Sequence, residues 1–158
     1  MELTAYHEAG HAFMATVLGA KVESVTIDPD NDDGPERYGD TQIIWKRSRL
    51  SAREWSERAI LVSLAGPVSE MLYSGDPFHP GLVAEWANDW QSAWDLAEPF
   101  FPSPRRRLEY LETVTAQLYQ RLNSEPNWSA VAAIADSLLA HEMLEHEEIE
   151  EIVKEWID

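Results

Sequence analysis

Apolar residues recur three and four positions apart through most of the chain, the period of helices that each bury one face. Residues 4–18 read as the first such helix, ending at Leu18-Gly19, where a glycine suits a left-handed cap. The period then changes. KVESVTID sets Val22, Val25 and Ile27 in loose alternation, and TQIIWK resumes that composition after the acidic, turn-rich stretch 28–40. The two read as a hairpin or as neighbouring strands joined by a loop. Ser51 and Glu54 form a capping box that opens a second helix through Ile60, Leu61 and Leu64. Pro67 has no N–H to donate, so Gly66-Pro67 predicts a kink or break, with more helix to Tyr73 and a stop at Ser74-Gly75.

DPFHPG, residues 76–81, is a turn-rich connection, and LVAEWANDWQSAWDLAEPFF is helical until Glu98-Pro99. Leu108, Leu111, Thr115, Leu118 and Leu122 mark a helix over Arg105–Asn123. Val131, Ile134, Leu138 and Leu139 mark another from Asn127 to about Leu144. Ile149, Ile152, Val153 and Trp156 close the chain on one helical face. The expected fold class is mainly α, with a small β-hairpin or sheet near the N-terminus.

Composition narrows the chemistry. At 158 residues, 44% of them hydrophobic, the chain is expected to form a single domain over residues 1–158 with a sizeable core. It has no cysteine, which excludes disulfides, thiolate-bound zinc and a thiol nucleophile. Any metal must be held by His, Asp or Glu. A formal charge of -17 argues against nucleic acid and anionic membrane surfaces as partners. No apolar run reaches a membrane span and no signal peptide opens the chain, so the expected location is cytoplasmic.

The first helix carries AYHEAGHAFMA, residues 5–15. His7 and His11 stand four apart and share a face. Glu8 is rotated by about 100° from His7, poorly placed to join them on an ion but able to reach a water beside it. Two neutral nitrogens to fix Zn2+ and a carboxylate to accept a proton from water make up the logic of His-Glu-x-x-His. The plainer alternative is a core helix with two satisfied histidines. Gly10 weighs against it, because a mid-helix glycine costs roughly 1 kcal/mol relative to alanine. Between two histidines it predicts close approach of another backbone, which Ala5, Ala9, Ala12 and Ala15 would also permit.

A catalytic zinc usually takes three protein ligands and keeps one position open. The compact HExxHxxGxxH pattern fails here, since Met14 and Val17 occupy the needed places. Glu23 lies on a predicted strand running away from the helix. Glu70, His79, Glu85, Asp89 and Asp95 remain, and spacing does not choose among them.

AYHEAGHAFMA resembles the zinc-binding helix in the peptidase domain of FtsH-type membrane ATP-dependent proteases. GDTQIIW is similar to the strand that follows the glycine-rich hairpin of that family, and LVSLAGPVSEMLYSG to its Leu-Gly-Gly-Arg-Ala-Ala-Glu-Glu helix. WANDWQSAWDLAE resembles its Ser-Asn-Asp segment, and LLAHEMLEHEEIEEIV its C-terminal helix pair. The matches keep the family's order over most of the chain and fade at 46–55 and 100–123. The resemblance implies a helical zincin-like metallopeptidase domain whose zinc is held by His7, His11 and Asp89, with Glu8 as the catalytic base. It places Glu70 behind a histidine ligand or in a buried ion pair. Pro67 departs from the family's usual Arg, and Ala87 from its usual Ser, which removes a helix cap. The sequence does not contain that family's ATPase and membrane segments, so it reads as either an excised domain or a stand-alone relative. The initial Met and the full C-terminal pattern tilt the expectation slightly toward the second.

The remaining motifs have structural readings. His141 and His146 are expected at solvated helix ends and His79 in a loop. Trp86, Trp90 and Trp94, four apart, fit core packing, and Arg105–Arg107 a surface patch. The expected function is zinc-dependent hydrolysis of peptide bonds in unfolded or flexible polypeptides, the substrate lying along an exposed strand edge such as TQIIWK. A separate ATPase or self-association would fit as partner. The competing reading is a catalytically weak zinc-binding regulatory or docking module, although a purely structural site has no need of Glu8.

Overall fold

The first helix, α1, spans Glu2–Val17 in the computed structural model of the chain, which describes residues 1–27, 40–75 and 86–157. Nearly every residue of α1 from Ala5 to Ala15 is buried. A helix covered on all sides belongs in the middle of a fold, and α1 packs on α2 (Ala52–Ser74) and α5 (Asn127–His141). It ends as expected. Gly19 adopts φ +90°, and the N–H groups of Gly19 and Ala20 donate to the carbonyls of Thr16 and Ala15. The Arg58 guanidinium donates to the Leu18 carbonyl at 2.9 Å.

That turn delivers the chain into β1 (Lys21–Thr26), which pairs antiparallel with β2 (Asp40–Ile44), Val25 opposite Thr41. The predicted loop between them lies, except for Asp40, outside the described residues. A third strand, β3 (Met143–Glu145), pairs with the other side of β1 to give the order β2-β1-β3. This corrects the expected helix through Leu144. The helix stops at His141, Glu142 turns out of it at φ +67°, and Leu144 is buried opposite Val25. A three-residue strand is too short for its alternation to register against a helical period.

Helix α2 starts on the expected capping box: Glu54 N–H donates to Ser51 Oγ at 3.1 Å, and Ser51 N–H to Glu54 Oε1 at 3.0 Å. Of the kink or break expected at Gly66-Pro67, a break does not occur: the helix continues to Ser74 and stops where expected, capped by Gly75 at φ +77°. Pro67 removes one donor from the ladder. Burial of every residue from Leu64 to Met71, against α1, α3 (Ala87–Ala97) and α4 (Pro104–Leu122), holds the helix together across that gap. The predicted turn at 76–81 lies outside the described residues, as do His79 and Glu85.

Arg107 corrects the expected surface patch. It is 4% exposed, donates to the carbonyls of Phe101 and Pro102 at 3.0 Å each, and lies over the Trp94 ring. The guanidinium thus fastens the α3–α4 turn, while Arg105 and Arg106 remain exposed. Helix α6 (His146–Ile157) closes the fold with Ile149 and Val153 inward. The architecture is mainly α with a small sheet, as expected. No helix among the described residues is long and apolar enough to cross a membrane.

Candidate metal centre

Glycine brings the two central helices together. A Cβ on Gly10 would lie 2.4 Å from the Ala65 carbonyl oxygen and 2.3 Å from Ser69 Oγ, so α1 can approach α2 this closely only without a side chain there. The close approach expected of Gly10 is therefore present. Gly66 makes the reciprocal space on α2: a Cβ there would lie 2.4 Å from His11 Nε2 and 2.6 Å from its Cε1. The His11 ring rests on the backbone of Gly66.

Each histidine is oriented from behind. His11 Nδ1 lies 2.7 Å from the Val62 carbonyl, which can only accept, so the proton sits on Nδ1 and the Nε2 lone pair is free. His7 Nδ1 lies 2.9 Å from Glu70 Oε1, a carboxylate that favours the proton on that nitrogen. Glu70 is itself buried, and its Oε2 accepts from the indole N–H of Trp86 at 2.6 Å.

Both free Nε2 atoms point at Asp89. Its Oδ2 lies 2.7 Å from His7 Nε2 and 3.4 Å from His11 Nε2, and the two nitrogens are 3.0 Å apart. Of the candidate third ligands, Asp89 alone among the described residues joins the histidines in a metal-sized cluster. Glu70 faces the opposite nitrogen of His7, and Asp95 is exposed and accepts from Gln91. Glu23 is exposed on β1, and His141 and His146 belong to no such cluster among the described residues.

The donor set fits zinc. With both imidazoles neutral, three lone-pair donors face one another with no proton between them, an arrangement that a buried site sustains only around a cation. Ligands bonded to zinc at about 2.0–2.2 Å in a tetrahedron stand roughly 3.3 Å apart, close to the separations here. Protons compete for the same lone pairs. Burial lowers the pKa of His11, but Asp89, Glu8 and the Val62 carbonyl outweigh it and raise it to about 9. Burial opposes the charge on His7 too, and Asp89 and Glu70 raise its pKa on balance. Burial raises that of Asp89, but the two imidazoles hold it well below the usual carboxylate range.

Glu8 is 3% exposed, and its Oε1 accepts from the Thr41 hydroxyl at 2.6 Å. Thr41 reaches it because strand pairing sets Thr41 opposite Val25, which is buried in the core. The site thus draws on α1, α2, α3 and β2. Nothing local in the sequence marks Thr41, Gly66 or the Trp86–Glu70 bond as part of the site. Gly66 reads as part of a kink or break and Trp86 as packing, and only a contact across elements distinguishes these roles.

A His/His/Asp cluster at HExxH spacing is the arrangement typical of zinc metalloendopeptidases. Over 99 residues, 61% of its length, the chain is 38% identical to an ATP-dependent zinc metalloprotease FtsH of Acidimicrobium ferrooxidans. The match covers 14% of that protein, so the chain corresponds to a small part of the relative. No family model matches the chain.

Proposed function

We propose that this chain is a zinc metallopeptidase of the FtsH type that hydrolyses peptide bonds in unfolded or flexible polypeptides. The convergence of His7 Nε2, His11 Nε2 and Asp89 Oδ2, with the Glu8 carboxylate next to them in sequence, carries this reading. His7, His11 and Asp89 would hold the ion, which supplies Lewis acidity toward water and the scissile carbonyl. Glu8 accepts the proton released by the attacking water and returns it to the leaving amine. Thr41 holds the Glu8 carboxylate through one of its oxygens, at 2.6 Å. Backbone groups of β2 run along the edge of the described sheet, where an extended peptide can add as a further strand.

In this reading residues 1–158 form one peptidase domain acting in the cytoplasm. It takes chains that are already unfolded or that a separate ATPase delivers, and self-association would fit the same reading. Zinc content and casein cleavage, measured on wild type, Glu8→Gln and Asp89→Asn, test the proposal. Glu8→Gln keeps its zinc and loses about 10²–10⁴-fold in turnover, and Asp89→Asn loses zinc. Stoichiometric zinc in the wild type with no cleavage of any flexible substrate points to a binding module instead.

A further inference from the structure

Asp89 sits in the first turn of α3, a helix with no side-chain cap: its N-cap residue is Trp86, whose indole cannot accept a hydrogen bond from the backbone. Among the described residues no side chain caps that first turn, and an uncapped turn is prone to fray. Asp89 is nevertheless held 2.7 Å from His7 Nε2. A firm contact at the start of that helix is Trp86 itself, 5% exposed, with its N–H bonded to Glu70 Oε2 at 2.6 Å. Glu70 presents its other oxygen to His7 Nδ1. One hydrogen bond therefore joins the support of the histidine to the turn that carries the aspartate.

We infer that Trp86 is a positioning residue of the metal centre, fixing Asp89 and His7 relative to each other through Glu70. The inference rests on the metal-centre reading above. In place of a polar cap, a buried aromatic anchor three residues before Asp89 sets the start of α3. Partners behind a ligand typically change metal affinity 10–100-fold when removed. Trp86 acts through Glu70 on one ligand and through the backbone on another, so an effect of about tenfold is expected.

The full-length protein tests this with Trp86→Phe, which keeps an aromatic ring but removes the donor, beside Trp94→Phe, which alters the ring under Arg107 away from the site. Zinc affinity is measured by chelator competition, and ligand geometry from the visible spectrum of the cobalt-substituted protein. Trp86→Phe should bind zinc about tenfold more weakly and shift the cobalt bands, with an unchanged far-ultraviolet spectrum; Trp94→Phe should match wild type in both. In the wild type, the Trp86 indole proton followed by NMR should exchange slowly and shift when zinc binds, a readout that needs no variant to fold. Wild-type zinc affinity and cobalt bands in Trp86→Phe, or an indole proton that exchanges fast and ignores zinc, overturn the inference. A wild type that takes up no zinc overturns the metal-centre reading itself, and this inference with it.

Discussion

A methyl group on Gly66 would occupy the space of the His11 ring, 2.4 Å from the atom that would bind metal. Alanine favours a helix interior over glycine by roughly 1 kcal/mol, so Gly66→Ala sets a local gain against a displaced ligand. The expected outcome is at least a tenfold loss of zinc affinity with helical content retained, measured by chelator competition and circular dichroism. A variant that binds zinc like wild type contradicts the placement of His11. Thr41 gives a second test at this scale. Thr41→Val removes the hydroxyl that holds Glu8 Oε1 while preserving side-chain shape. Its kcat should fall with little change in KM or zinc content, and Thr41→Ser should restore it; equal loss in both variants argues for a packing role only.

Between elements, the α1–α2 contact decides the most. Gly10→Ala forces a Cβ against the Ala65 carbonyl, a backbone atom that cannot step aside without separating the helices. Overpacking of this kind typically costs about 1–3 kcal/mol, more than the helix preference of alanine returns. Urea denaturation of the chelator-treated protein should show that loss, and unchanged or raised stability would contradict the close approach. This contact was legible in the sequence, because a glycine between two histidines has no local reason to be there. The helices were legible too, from apolar period and from the Ser51–Glu54 box. Two features were not. Continuity through Pro67 depends on burial by three neighbouring helices, which no local rule encodes, and β3 exists because Leu144 finds Val25 across the fold. In the same way His7, Glu8 and His11 were legible as one helical face, whereas Asp89 rested on resemblance, and Thr41 and Trp86 act only through contacts distant in sequence.

For the molecule as a whole, the buried cluster ties stability to pH. Both histidines have raised pKa values, so in chelator-treated protein their contribution is complete below about pH 6.5 and is lost as pH rises, that of His11 through about 9. Asp89 is shifted the other way, and its contribution persists above about pH 4 and is lost only on further acidification. Chelator-treated protein should therefore be most stable between about pH 4 and 6.5, its Tm falling by roughly 5–10 °C from pH 6 to pH 9. Zinc affinity should rise over that same interval, as the ion displaces fewer protons. A Tm that is flat or rising from pH 6 to pH 9 in the presence of chelator would show that the histidines are not charged partners of Asp89.

The most direct measurement is anomalous diffraction at the zinc edge from crystals of the zinc-loaded protein. The account predicts one ion bonded at about 2.0–2.2 Å to His7 Nε2, His11 Nε2 and Asp89 Oδ2, with its remaining position open to water. An ion held by Glu70 in place of Asp89, a fourth protein ligand closing the site, or no ion at this cluster would contradict it.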